Sequence, residues 1–334
     1  MTPSTMRAAV LYDVDDIRIE ERDVPQPGDG ELLVRTQASG ICSGDVMGWY
    51  IRRKAPLVLG HEPAGIVESV GGGAAFSPGD RVFVHHHAPC FTCRACERRD
   101  FVQCATWRAS RIEPGGIAEY FRVPRENQRD TLRLPAGVPF ADAALTEPLA
   151  CVVKSLRRGG VTRADRVYVI GLGVMGLLHV LAAREIGAEV FASDFVAYRR
   201  ELAQRNGAAV FLPDDAKRVL GDGADVVICG PGTASALKAA SEAAAGGGTI
   251  VMFTPLPPDV PVSVDSTRFY FGDLRLVASY SCGPEDTREA LSLIERGVVT
   301  AEKVGAQRIA LDDVPRAYQD LAQGLIVKPI VCFD

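Results

Sequence analysis

Long apolar runs, dense clusters of Lys and Arg, internal repeats and low-complexity tracts are all missing from this chain of 334 residues. A membrane-spanning helix needs about 20 consecutive apolar residues, so none is expected. The net charge of −5, with no basic patch in the sequence, removes the electrostatic footprint of a nucleic-acid binder and leaves small molecules as the expected partners. The opening stretch, "MTPSTMRAAVLYDVDD", lacks a basic segment followed by a long apolar one, and a cytoplasmic protein is the expectation. What is present is ample core material. Hydrophobic residues make up 47% of a chain too long for one core, which points to two domains.

Cysteine is also scarce, with nine in the chain, but four fall within fifteen residues, in "CFTCRACERRDFVQC". In a reducing compartment, closely spaced thiols are more often metal ligands than disulfides. Cys90, Cys93, Cys96 and Cys104 follow the spacing Cys-x2-Cys-x2-Cys-x7-Cys, which lets a short loop wrap four thiolates around one Zn²⁺. Free cysteines on a surface loop are the plainer alternative. A sphere closed by four thiolates has no room for substrate, so this lobe, about residues 88–106, reads as structural. The chemistry has to lie elsewhere.

Two regions differ in pattern. From Met6 to about Pro124, short β-like runs such as "ELLVRTQA", "GIVESVG" and "DRVFVHH" alternate with Gly, Pro and Asp turns, predicting a β-rich domain. From about Asp165, apolar strands ("RVYVIG", "AEVFASD", "ADVVICG", "GGTIVMF") alternate with Ala- and Leu-rich helical stretches. That alternation predicts a doubly wound parallel sheet with helices on both faces. A final segment from about Gly283 carries two helix-like stretches.

The first turn of the second region is the most informative. Gly171-Leu172-Gly173-Val174-Met175-Gly176 follows the strand-like "VYVI" and opens a helical stretch, so its backbone N–H groups can approach a pyrophosphate. Asp194 follows 23 residues after Gly171, at the end of the next strand. A carboxylate there accepts hydrogen bonds from the adenosine ribose and repels a 2′-phosphate, which favours NAD over NADP. Arg199 stands close enough in sequence to touch the adenosine end, or to be an exposed helix charge.

Further metal-type residues precede the cysteine lobe: Cys42 in "GICSGD", His61 and Glu62 in "LGHEPAGIV", and beyond it Glu147 in "LTEPLA". Together with the dinucleotide turn and the cysteine lobe, these motifs make the chain resemble the zinc-dependent medium-chain dehydrogenases over nearly its whole length. "LTEPLACVVKSLRRGGVTRADRVYVIG" is similar to the sorbitol (polyol) dehydrogenase branch in particular. The resemblance implies an α/β protein in which a GroES-like catalytic domain at 1–151, completed by a C-terminal segment at 284–334, packs on a doubly wound Rossmann domain at 152–283, with the active site in the cleft, and a dimer or tetramer. It implies two zinc ions per chain and NAD as cofactor. Cys42, His61 and Glu62 would surround the catalytic zinc, Glu147 would be a fourth ligand or a near neighbour, and Asp45 would orient His61. The implied reaction is hydride transfer from a secondary alcohol of a polyol, sugar or (amino)cyclitol.

Departures from the family pattern keep alternatives open. Relatives carry Ser or Thr two residues after the zinc cysteine as a proton relay, but this chain has Gly44 there, so Ser43 or water would have to serve. Met47 replaces a histidine found in threonine and many alcohol dehydrogenases, and Ser279 replaces an arginine expected beside Tyr280 in polyol enzymes. A threonine or simple secondary-alcohol dehydrogenase, or a dinucleotide-binding protein that has lost catalysis, remains an alternative. His85, His86 and His87 are expected in packing or solvent roles, and Cys151, Cys229, Cys282 and Cys332 as buried apolar thiols.

Overall fold

The computed structural model describes residues 2–333; Met1 and Asp334, the ends of the expected domains, lie outside the described residues. The chain divides into two compact units, one made of Met1–Ala150 with Cys282–Asp334 and the other of Cys151–Ser281. It passes from the first to the second within one helix, Thr146–Gly159.

The first unit is the expected β-rich body. Its larger sheet has seven strands, with the path Ala306–Ile309, Lys328–Cys332, Leu32–Gly40, Pro63–Val70, Arg81–Val84 and Thr131–Arg133, while Tyr120–Val123 also pairs with Leu32–Gly40. Leu32–Gly40 is central and mostly buried, with Thr36 and Ser39 enclosed beside Leu32, Leu33, Val34 and Ala38. The C-terminal strand Lys328–Cys332 runs antiparallel to it, with Ile330 opposite Gly40. That register decides what reaches the end of the central strand. The helix Val314–Ala322 closes the same side, burying Val314, Ala317, Tyr318 and Leu321 against Leu11, Ile41, Ile51 and Leu59.

The second unit is a six-stranded sheet in the order Ala209–Phe211, Glu189–Ser193, Arg166–Ile170, Ala224–Cys229, Ala244–Met252 and Arg275–Ala278, every pair parallel. Helices cover both faces of such a sheet, so its inner strands carry unbroken apolar runs instead of an alternating pattern. "RVYVI" and "ADVVIC" are the clearest cases. The strand order reverses at Arg166–Ile170, directly before the glycine turn, which is where sheets of this kind receive a ligand.

Candidate functional site

The four cysteines of the lobe converge. Their sulfurs stand 3.9 Å apart for Cys90 and Cys96, and 3.6 Å for both Cys93 with Cys96 and Cys104 with Cys90. A tetrahedron of bonds near 2.3 Å has edges of about 3.8 Å, so the spacing fits one Zn²⁺. The loop achieves this with left-handed backbone at Phe91 (φ 64°) and Arg99 (φ 61°), an uncommon conformation for residues with side chains. Backbone amides of Cys90 and Thr92 point at Cys104 and Cys90 sulfurs, at 3.4 and 3.5 Å. The Thr92 hydroxyl, at 3.5 Å, and then the Thr92 amide pull the Cys90 thiol down to about 5. A thiolate is what a metal ligand must be.

A second donor set assembles at the end of the central strand of the first unit. Cys42 lies in the turn after Leu32–Gly40, and His61 and Glu62 directly precede the strand Pro63–Val70; one ligand atom from each lies within 4.8 Å of the others. Burial pushes the Cys42 thiol up although His61 beside it pulls the other way. Burial would lower His61, but Asp45 and Cys42 hold it well above its usual range. The Asp45 carboxylate stands 3.6 Å from His61 Nδ1 and is itself buried.

Two residues of the C-terminal segment, which sequence reasoning missed, support this set. Lys328, 1% exposed, pairs with Glu62 Oε2 and donates to the Ile41 carbonyl at 3.0 Å. Glu62 Oε1 is buried with no hydrogen-bond partner among the described residues, an orphaned acceptor beside Cys42 and His61. Such an atom is costly unless an ion takes it, so the donor set fits a divalent metal. Tyr318 donates to the Asp45 carbonyl at 2.5 Å, pinning the turn that carries Cys42. Gly40 leaves room for the pair, since a Cβ there would lie 1.9 Å from Glu62 Oε2 and 2.8 Å from Lys328 Nζ. The one sequence signal was a lysine inside the apolar run "LIVKPIVC".

Glu147 is not among the three donors that meet within 4.8 Å, but its charge acts on His61, so it stands as a near neighbour of the Cys42 set. At the start of the helix Thr146–Gly159, it lies within 4.8 Å of ligand atoms of His85 and His86. The histidine run takes packed, hydrogen-bonded places. His85 is fully buried with Nδ1 2.6 Å from Asp130 Oδ2, and its Nε2 faces the Cys282 sulfur at 3.6 Å. The His86 ring lies 4.9 Å from that of His61. His87 Nδ1 meets the Ser110 carbonyl, and its ring packs on Trp107 of the cysteine lobe. Cys282 is thus more than an apolar thiol, and Cys151 and Cys332 are only partly buried. Ser43 and Gly44 occupy the turn after Cys42, where the Gly44 amide donates to the Cys42 sulfur at 3.3 Å.

In the second unit, Gly171 has φ +86°, Gly173 caps the helix Val174–Ile186, and Val174 and Met175 form its first turn. Gly176 can only be glycine: a Cβ would lie 2.0 Å from the Gly171 carbonyl oxygen. The turn thus exposes the helix N-terminus that suits a phosphate. Asp194 ends the adjacent strand, where its Oδ2 accepts the Leu172 amide at 2.7 Å and Oδ1 the Val196 amide at 2.8 Å. Arg199 Nη1 stands 3.8 Å from the same carboxylate. Ser279 is buried, and Tyr280 is 58% exposed.

Comparison with known proteins gives these features a setting. Residues 28–136 match the alcohol dehydrogenase GroES-like domain, and residues 174–296 match the zinc-binding dehydrogenase domain. The chain is 31% identical to sorbitol dehydrogenase of Ovis aries, over 97% of this chain and 96% of that protein. It is 27% identical to D-xylulose reductase A of Aspergillus oryzae, over 96% and 95%. A zinc-binding dehydrogenase structure from Sinorhizobium meliloti, bound to NADP, superposes with a TM-score of 0.88 at 30% identity, covering 99% of this chain and all of that one.

Proposed function

We infer the activity from one premise: the chain belongs to the zinc-dependent medium-chain alcohol dehydrogenases, in the sorbitol (polyol) dehydrogenase branch. It is an oxidoreductase acting with a nicotinamide dinucleotide on an alcohol group of a polyol, sugar or (amino)cyclitol. The observation that carries this reading is the Cys42–His61–Glu62 donor set with its orphaned Glu62 Oε1. These three residues would hold the exchangeable zinc, and Cys90, Cys93, Cys96 and Cys104 a second, structural one. When bound, zinc would lower the pKa of the substrate hydroxyl and the nicotinamide would accept hydride.

The chain's own residues do the rest. Asp45 fixes the orientation of the His61 imidazole, as a carboxylate behind a ligand histidine does. Lys328 keeps one Glu62 oxygen occupied and leaves the other for the ion. With Gly44 in place of a relay hydroxyl, the substrate proton leaves through water or the substrate's own hydroxyls. Gly171, Gly173, Val174, Met175 and Gly176 present backbone amides to the pyrophosphate. Asp194 selects NAD by charge, with Arg199 tempering that repulsion. A cytoplasmic location suits a chain whose closely spaced cysteines follow metal-ligand spacing. A homo-oligomer suits the edge strand Arg275–Ala278, beside which Tyr270 and Phe271 are each 81% exposed.

The test is a screen of NAD and NADP reduction against polyols, cyclitols, threonine and simple alcohols. A polyol or cyclitol with NAD is the expected best pair, and Asp194→Gly should narrow the preference for NAD by about tenfold, or about 1.4 kcal/mol. Equal use of NADP by the unmodified protein would overturn the role given to Asp194. Activity on threonine alone would overturn the substrate class.

A further inference from the structure

The stretch "VMGLLHVLAA" behind the glycine turn carries one polar side chain, His179, and the fold buries it. We propose, resting on the dinucleotide role of that turn, that His179 held by Ser155 is a positioning residue for the cofactor. It braces and polarises the peptide unit between Met175 and Gly176, whose N–H faces the pyrophosphate. Ser155, His179 and the glycine turn all belong to the second unit.

His179 stands one turn beyond Met175 in the helix Val174–Ile186, and Ser155 lies in the helix Thr146–Gly159. The imidazole Nδ1 is 2.7 Å from the Met175 carbonyl oxygen, and its Nε2 is 2.5 Å from the Ser155 hydroxyl. A carbonyl only accepts, so Nδ1 carries the proton, Nε2 is the acceptor and the Ser155 O–H donates to it. Burial pushes His179 down to about 4, so the ring stays neutral and this order of donors holds at ordinary pH. The Phe253 ring packs perpendicular to it, with centroids 4.8 Å apart.

Leu177 begins the intrahelical ladder, its amide reaching the Gly173 carbonyl at 3.0 Å. The amides of Val174, Met175 and Gly176 precede it and are left to an outside acceptor, as at any helix start. The Met175 carbonyl accepts the His179 amide by ordinary helix geometry, so the imidazole gives it a second donor. Hydrogen bonds in series polarise one another by about 10–30% each, and the Gly176 N–H, on the same peptide unit, becomes the stronger donor. The competing account is that Ser155 and His179 do no more than satisfy each other between two packed helices.

Ligand affinities separate the two. His179→Phe keeps a ring for packing and removes both hydrogen bonds, whereas His179→Asn still offers an N–H near the Nδ1 position and gives up only Ser155. Ser155→Ala releases the ring at Nε2 alone. NADH binding is followed by fluorescence, with ADP-ribose and adenosine as competitors and urea unfolding to confirm each fold. His179→Phe should weaken NADH and ADP-ribose by about three- to tenfold and Ser155→Ala by about twofold, while adenosine, which has no phosphate, is unaffected. His179→Asn should bind ADP-ribose like the unmodified protein. In the ligand-free chains, the Gly176 amide proton resonance should move upfield in His179→Phe and stay in place in His179→Asn. ADP-ribose affinity unchanged in His179→Phe, or in Ser155→Ala should His179→Phe not fold, would overturn the proposal. So would a loss shared equally by adenosine, or a loss in His179→Asn as large as in His179→Phe. An unmodified protein that bound neither NADH nor NADPH would instead sink the dinucleotide reading itself, and this inference with it.

Discussion

In the function we propose, the cysteine lobe and the Cys42 set each hold a cation, yet the chain assembles them in opposite ways. In the lobe, all four donors come from fifteen consecutive residues, and most of the order around the sulfurs is local: backbone amides, left-handed residues at Phe91 and Arg99, and short helices. In the Cys42 set, the ligands are few and their support comes from far along the chain. Lys328 reaches Glu62 across 266 residues, and Tyr318 reaches Asp45 across 273. A local sphere can be closed and inert. A set held by distant strands can leave one donor and one position uncommitted, which is what exchangeable metal and catalysis require.

Removing one donor from each should separate these designs most strongly. Cys42→Ser is expected to lose the exchangeable ion and reduce turnover by roughly a thousandfold or more, because a Lewis-acid metal supplies several kcal/mol. Its thermal midpoint should change little. Cys104→Ser should do the reverse, lowering the midpoint while the Cys42 set keeps its metal. A mild chelator should likewise abolish activity before it unfolds the chain. The comparison breaks if Cys42→Ser unfolds the protein, or if Cys104→Ser leaves the melting curve unchanged.

The same contrast explains what the sequence made legible. The lobe could be read from spacing alone, because its geometry is a property of one loop. The glycine turn was equally legible, since Gly176 answers a local steric demand from Gly171. The doubly wound sheet showed in its continuous apolar strands. Cys42, His61 and Glu62 came only through resemblance, and Lys328, Asp130 and Cys282 did not come at all. Their roles depend on strand register, such as Ile330 opposite Gly40, and on the helix Pro284–Glu295 that carries Thr287 to Asp130. No pattern of period two or 3.6 encodes that.

Lys328 offers the next largest effect. Breaking a buried ion pair by removing one partner costs about 3–5 kcal/mol, because the other charge stays buried without compensation. Lys328→Met should therefore shift the urea midpoint by a corresponding amount, and Lys328→Met with Glu62→Gln should recover part of it. Added Zn²⁺ should also recover part, since Glu62 then finds another cation. No lobe variant should show that rescue. An unshifted midpoint in Lys328→Met would mean that Glu62 does not depend on its distant partner.

Asp45 should matter less, as a support and not a ligand. Losing a carboxylate behind a metal-ligating histidine weakens metal affinity by about 10- to 100-fold. Asp45→Asn should fall in that range by competition with a chelator of known affinity, with the lobe zinc unaffected. An affinity unchanged within error would show that the 3.6 Å approach to His61 does not orient the ring.

The smallest effects are expected where the chain departs from its family, at Ser43 and Gly44. A side chain that relays a proton is worth roughly 10²- to 10⁴-fold in rate. If Ser43 had taken over from the missing hydroxyl, Ser43→Ala would lose that much. Neighbouring residues in a tight turn point their side chains in different directions, so Ser43 should not serve the position that a residue-44 side chain would reach, and Ser43→Ala should change kcat by less than about tenfold. Gly44 tells the same story from the other side. It does not use left-handed backbone, and a Cβ there would meet the Cys42 sulfur at 3.4 Å and the Met47 Cε at 3.8 Å, both ordinary contacts. Gly44→Ser should therefore fold, keep the amide hydrogen bond to Cys42, and place a hydroxyl beside the metal set, changing the pH dependence of kcat more than its maximum. A thousandfold loss in Ser43→Ala with metal content intact would make Ser43 the relay, and would show that even this locally built turn takes its function from a partner elsewhere in the chain.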